Sequence, residues 1–164
     1  MAENDLYQLL TFDTPDGLQD DIVNSLTTLH ATKNVDERGR QLWIYYDTPQ
    51  VREYTNLILL KMDPSINEAL GKRGLAVCPI QKGPRVVRTG DGASDYQEAR
   101  PGSIAIITPM THEKVPIWLA EIGERFSENN FVSAGKQDKV IILPGTKFRL
   151  GAPYYLMARP VRNV

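Results

Sequence analysis

The sequence predicts an α+β domain: a helical N-terminal half, then a mainly antiparallel β-rich half with one inserted helix. Three observations lead there. Apolar residues recur at helical spacing behind proline signals up to about residue 70. Short apolar runs bounded by glycine and proline fill most of the remainder. One more helical stripe, Val115 to Phe126, interrupts those runs.

The elements follow in order. Thr14-Pro15-Asp16-Gly17 offers a capping threonine and a proline suited to the first helical position. Leu18, Ile22, Leu26 and Leu29 continue it as an amphipathic helix to about residue 30. Asn34 to Arg40 reads as a charged loop. Gln41 to Tyr46 is rich in aromatics, fitting a short strand or a buried entry to the next helix. Thr48-Pro49 repeats the cap signal, and Val51, Tyr54, Leu57 and Ile58 mark a helix to about Met62. Asp63-Pro64 then starts a short separate helix, closed by Gly71 and Gly74.

Strands are expected at Leu75–Ile80, Arg85–Arg88, Ser103–Thr108, Val140–Leu143, Lys147–Leu150 and Tyr154–Ala158. Val140 to Leu143 is four large apolar residues in a row, the pattern of a strand buried on both faces. Pro144-Gly145 should fold it back on Lys147–Leu150 as a hairpin. Val115, Trp118, Leu119, Ile122 and Phe126 form the stripe of the inserted helix, with Pro116 in its first turn.

At 164 residues the chain is expected to be one domain, 1–164, with room for one core. Apolar residues at 41% and charged residues at 24% are those of a folding chain. A net charge of -1 steers it towards neither nucleic acid nor an anionic membrane. No apolar run approaches the roughly 20 residues of a membrane span, and Met1 to Asp5 lacks the basic, then apolar, pattern of a secretory signal. A cytoplasmic protein is the expectation. The one cysteine, Cys78, excludes an internal disulfide and a multi-cysteine zinc site, and reads as an inert buried thiol. His30 and His112 stand in different elements, so no metal site is expected. Gly90 to Asp95 lacks the alternating oxygens of a calcium loop and reads as a solvated loop. Arg85, Arg88 and Arg100 flank two strands and are the residue type that grips phosphate in bidentate fashion. Trp43, Tyr45, Tyr46, Tyr154 and Tyr155 fit either a stacked base or a core or interface position.

Several motifs stand in a recognisable order. Glu53-Tyr54-Thr55-Asn56 precedes Ser65-Ile66-Asn67-Glu68-Ala69-Leu70. Val86-Val87-Arg88-Thr89-Gly90 follows, then Pro101-Gly102-Ser103 and Ile107-Thr108-Pro109-Met110-Thr111. Val140 to Phe148 closes the series with Pro-Gly-Thr-Lys-Phe. Over about residues 48 to 150 this resembles the ADP-ribosyltransferase fold of bacterial toxins and phage-encoded enzymes. The resemblance implies NAD held between sheets, with Arg88 on a phosphate and the Thr108 and Thr111 hydroxyls ordering the site. The family's catalytic glutamate lies just before the last buried strand, two residues after a Glu or Gln. Aligning Gly145-Thr146 puts Gln137 at the first position and Lys139 at the second. A lysine cannot supply the negative charge that an oxocarbenium-like transition state needs. A one-residue bulge would present Asp138 in its place.

Two expectations follow. One is an ADP-ribosyltransferase-like protein, either an NAD-dependent enzyme using Asp138 or a degenerate, non-catalytic binding module. The other is a non-enzymatic structural or accessory subunit of a viral particle, such as a phage virion, or of a secretion assembly. The first implies a protein or nucleic-acid target and the second a protein partner or assembly, in the host cytoplasm or in the particle.

Overall fold

The computed structural model describes residues 6–11, 16–26, 30–80, 83–90 and 95–164. In chain order the elements are β1 (Tyr7–Thr11), α1 (Asp16–Ser25), β2 (Ala31–Val35), β3 (Gln41–Tyr45), α2 (Pro49–Gly71), β4 (Leu75–Val77), β5 (Arg85–Thr89), β6 (Gln97–Ala99), β7 (Ser103–Pro109), β8 (Val115–Glu121), β9 (Phe131–Ala134), β10 (Asp138–Ile142), β11 (Thr146–Arg149) and β12 (Tyr154–Asn163). The described residues are mostly strand, with two helices.

The strands form two antiparallel sheets. The larger has eight strands, in the order β1-β10-β7-β12-β5-β3-β2, with β4 added along the end of β12. The smaller has four, in the order β6-β11-β8-β9. Alternation along each strand of the large sheet divides its side chains between two cores. Ile104, Ile106, Ile141, Tyr155 and Met157 face α1 and α2. Ala105, Ile107, Val140, Ile142 and Tyr154 face Ile117, Leu119 and Phe148 of the small sheet. The molecule thus has three layers: helices, large sheet, small sheet.

This arrangement corrects the helical first half. β1, β2 and β3 precede α2, and Asn34–Arg40 is in part strand β2 and in part the turn to β3. The capping residues Thr14 and Pro15, and Leu29, lie outside the described residues. Thr48 does cap α2, its hydroxyl oxygen accepting from the Val51 amide at 3.3 Å. Asp63-Pro64 starts no new helix. Pro64 sits inside α2 on its exposed side, and Leu60, whose carbonyl would otherwise take its missing N–H, is also exposed. Water can meet that carbonyl, so the proline is tolerated there.

The inserted helix is absent too. Val115–Glu121 is β8, in the interior of the small sheet between β11 and β9. The same residues satisfy two periods: Val115 and Leu119 stand four apart, but Val115, Ile117 and Leu119 also alternate. β-branched and aromatic residues favour the second reading, and two neighbouring strands enforce it. Pro116 lies beyond the last rung with β11, Trp118↔Arg149, so its missing N–H costs no bond on that side.

The last expected hairpin is a corner. β10 is a buried interior strand between β1 and β7, as its apolar run implies. β11 pairs with β6 and β8 in the other sheet. Pro144-Gly145, with Gly145 at φ +83°, carries the chain across, and the Gly145 amide donates to the Ala99 carbonyl at 2.7 Å. The Gly90–Asp95 loop is described only at its ends. There Asp95 is buried and accepts from the Gln41 amide at 2.7 Å, which a solvated loop would not do. Cys78 is half-buried.

Candidate functional site

The residues singled out by sequence converge on one end of the large sheet. The register Val140↔Ile107, extended by one, sets Lys139 beside Thr108. Leu10 lies opposite Lys139, and Tyr155 opposite Thr108. One row therefore crosses β1, β10, β7 and β12, and its Lys139, Thr108 and Tyr155 lie on the helix face. α2 supplies Tyr54 and Thr55 above it.

A polar seam results in an otherwise apolar interface. The Tyr54 hydroxyl donates to Thr108 Oγ1 at 3.1 Å. Thr55 Oγ1 donates to the Val51 carbonyl at 2.9 Å, so its bond with the Tyr155 hydroxyl at 2.8 Å must have Tyr155 as donor. The two tyrosine rings meet edge to face, 4.9 Å apart. Lys139 is fully buried, its ammonium 5.4 Å from the Tyr54 ring centre and 3.4 Å from the Gln137 carbonyl, to which it donates. Burial pushes Tyr54 up to about 12, partly offset by its bonds to Thr108 and Gln19. Burial raises Tyr155 too, with its bond to Thr55 pulling the other way. Burial lowers Lys139 to about 8, with the Asp138 charge pulling the other way.

The other predicted residues go elsewhere. Asp138 shares the face of Val140, opposite to that of Lys139, and its carboxylate accepts from the Gly135 amide at 2.8 Å. Gln137 lies in the preceding turn and meets Lys139 through its backbone. Arg88 is on β5, two strands from Thr108, and its guanidinium stacks 5.4 Å from the ring centre of its cross-strand neighbour Trp43. Thr111 has left β7 and donates to the Glu113 carbonyl at 2.6 Å. Of the five expected site residues, only Thr108 enters the row with Lys139. Tyr154 and Tyr155 are core, whereas Tyr46 is exposed and stacks on His30.

His112 belongs to a surface group at the same end. Its Nε2 lies 3.0 Å from Asn24 Oδ1, and Lys136 pairs with Asp20 beside it. That Lys136 bond holds the Asp20 carboxyl below the usual carboxylate range. Among the described residues no three His, Cys, Asp or Glu side chains gather as a metal would require. No helix among them is long and apolar enough to cross a membrane.

Lys139 makes stability depend on pH. Its folded value, about 8, lies below the ordinary 10.5. Between those values the unfolded chain holds a proton that the folded chain has released, so stability rises with pH through that window. The rise expected from this group is about 3 kcal/mol. Urea titrations between pH 8 and 10.5 should show it, and Lys139→Met should flatten it. An unchanged slope in the variant would place the ammonium in water.

No family model, curated protein or solved structure matches the chain.

Sequence reasoning missed two features. One is the pair Arg159–Asp63 beneath α2, for which Asp63 looked like a helix start. The other is the outer face of the small sheet, hidden by reading β8 as a helix. A strict count of alternating residues from Val115 to Glu121 would have exposed the second.

Proposed function

We propose that this chain is a non-catalytic binding module, of the degenerate transferase-like kind, that works as a structural or accessory subunit beside a protein partner. The observation that carries this reading is Lys139. The position where the resemblance expects a carboxylate holds a lysine, fully buried under Tyr54. The only carboxylate within one residue, Asp138, points to the other face and holds the turn at Gly135. Thr108 is buried and bonded to Tyr54, so its hydroxyl is committed to the helix interface.

A partner is supported by the sheet edges. β2 ends the large sheet, four of its five residues are exposed, and Val35 is 60% exposed. An unpaired strand edge offers backbone groups for pairing with another chain, and on β2 Val35 is the exposed apolar residue, two positions from Lys33. The cytoplasm, or a particle assembled there, fits a module of this kind.

Titration calorimetry with NAD tests the reading. No NAD binding that Arg88→Ala removes, and no transfer of labelled ADP-ribose into host lysate, are the expected results. Micromolar binding abolished by Arg88→Ala, together with transfer abolished by Asp138→Asn, would overturn it in favour of the transferase.

A further inference from the structure

The outer face of the small sheet carries aromatic and cationic side chains. Inner positions of β8, β9 and β11 carry Ile117, Leu119, Val132 and Phe148. The alternate positions face outward, and register aligns three of them in one row: Arg149↔Trp118 and Trp118↔Phe131. The Trp118 and Phe131 rings lie 6.3 Å apart, and Phe131 is 48% exposed. The next row brings Lys147 beside Ala120, which is buried.

The segment after β8 returns over this face. Phe126 comes down above Lys147 and Arg149, with their cations 4.6 and 5.9 Å from its ring centre. Trp118, Phe126, Ser127, Glu128 and Arg149 line an open pocket of about 250 Å³. That is below the ~300–1,000 Å³ usual for drug-sized ligands, so it would take one base, with any sugar and phosphate lying across its open rim.

We infer that this pocket binds a nucleotide, with the base against Trp118 and Phe126 and the phosphate on Arg149. Aromatic side chains offer a π surface on which any base stacks. A guanidinium held at one wall is the group that recognises phosphate in bidentate geometry. Glu128 opposes a second negative group, but it accepts from an N–H edge, and guanine turns two adjacent N–H groups to such a carboxylate. The three chemistries coincide in one nucleotide: π face, donor edge, anion. The inference goes beyond the assembly role and does not depend on Arg88, Thr108 or Lys139. The same unit could come free or as part of a single strand. Because net charge is -1, affinity would come from stacking and one guanidinium, with little help from the global field.

The test uses the full chain carrying Trp43→Phe, so that Trp118 is the only tryptophan reporting. Guanosine 5′-monophosphate is expected to quench it with a dissociation constant at or below millimolar, and ribose 5-phosphate is not. Arg149→Gln should weaken the monophosphate about tenfold, the worth of one charge-assisted contact, while leaving guanosine unchanged. Phe126→Ala, in a loop, should weaken both. A short single-stranded oligoribonucleotide that binds much tighter than the monophosphate, with a log–log salt slope near −0.7 per phosphate contact, identifies a strand as the source. Equal affinity identifies the free nucleotide. The inference is overturned if neither quenches, if ribose 5-phosphate does as well as the nucleotide, or if an acidic peptide alone binds.

Discussion

Asp63→Ala is expected to cost about 3 kcal/mol, the lower end for breaking a buried ion pair. Arg159 lies on the helix face of β12, its side chain 4% exposed, and Asp63 projects from α2 above it, 31% exposed. The pair is bidentate: Nη1 donates to Oδ1 at 2.6 Å and Nη2 to Oδ2 at 3.2 Å. Nε and Nη2 also donate to the Cys78 carbonyl, at 3.2 and 2.9 Å. Removing the carboxylate leaves a buried cation held only by one carbonyl, and that loss of compensation is the cost. Urea titration should show a lower midpoint with an unchanged slope. Asp63→Leu combined with Arg159→Met should recover most of the loss, because it removes the charge along with its partner. A single-mutant loss below about 1 kcal/mol would mean that water already solvates the pair.

Ile142→Ala is expected to cost about 2–5 kcal/mol. Ile142 is fully buried in β10, an interior strand, with Tyr7 and Ala105 as its cross-strand neighbours. Its side chain fills the space between the two sheets. Neither sheet can move in to close the hole without breaking rungs on the strands beside it, so the cavity persists and the cost stays high. Denaturant titration is the check. A loss under about 1 kcal/mol would put the residue outside the core.

How far the sequence could be read differs from element to element. α2 was marked at its start by Thr48-Pro49 because a cap is a local bond, complete within four residues. Its end was misread because Asp63-Pro64 carries the same local signal, and only an exposed Leu60 nearby shows why the helix survives it. Most late strands were found because apolar runs between turns need no knowledge of neighbours. β8 was missed because its residues fit both periods, and the deciding bonds come from β9 and β11, distant in sequence. Of the candidate site, the row containing Thr108 and Lys139 could not be foreseen, since it needs the β10–β7 register.

By itself the sequence determined the burial of β10, the cap of α2 and the lysine at position 139. Each is a matter of residue type and near neighbours. Tertiary structure decided the rest. It determined that β10 and β11 join different sheets and that β8 is a strand. It turned Asp138 away from Lys139, and it lined up Arg149, Trp118 and Phe131 on one face. Those outcomes depend on which strands pair and in what register. Pairing is set by packing two cores at once, and a one-residue shift would send every side chain to the opposite face.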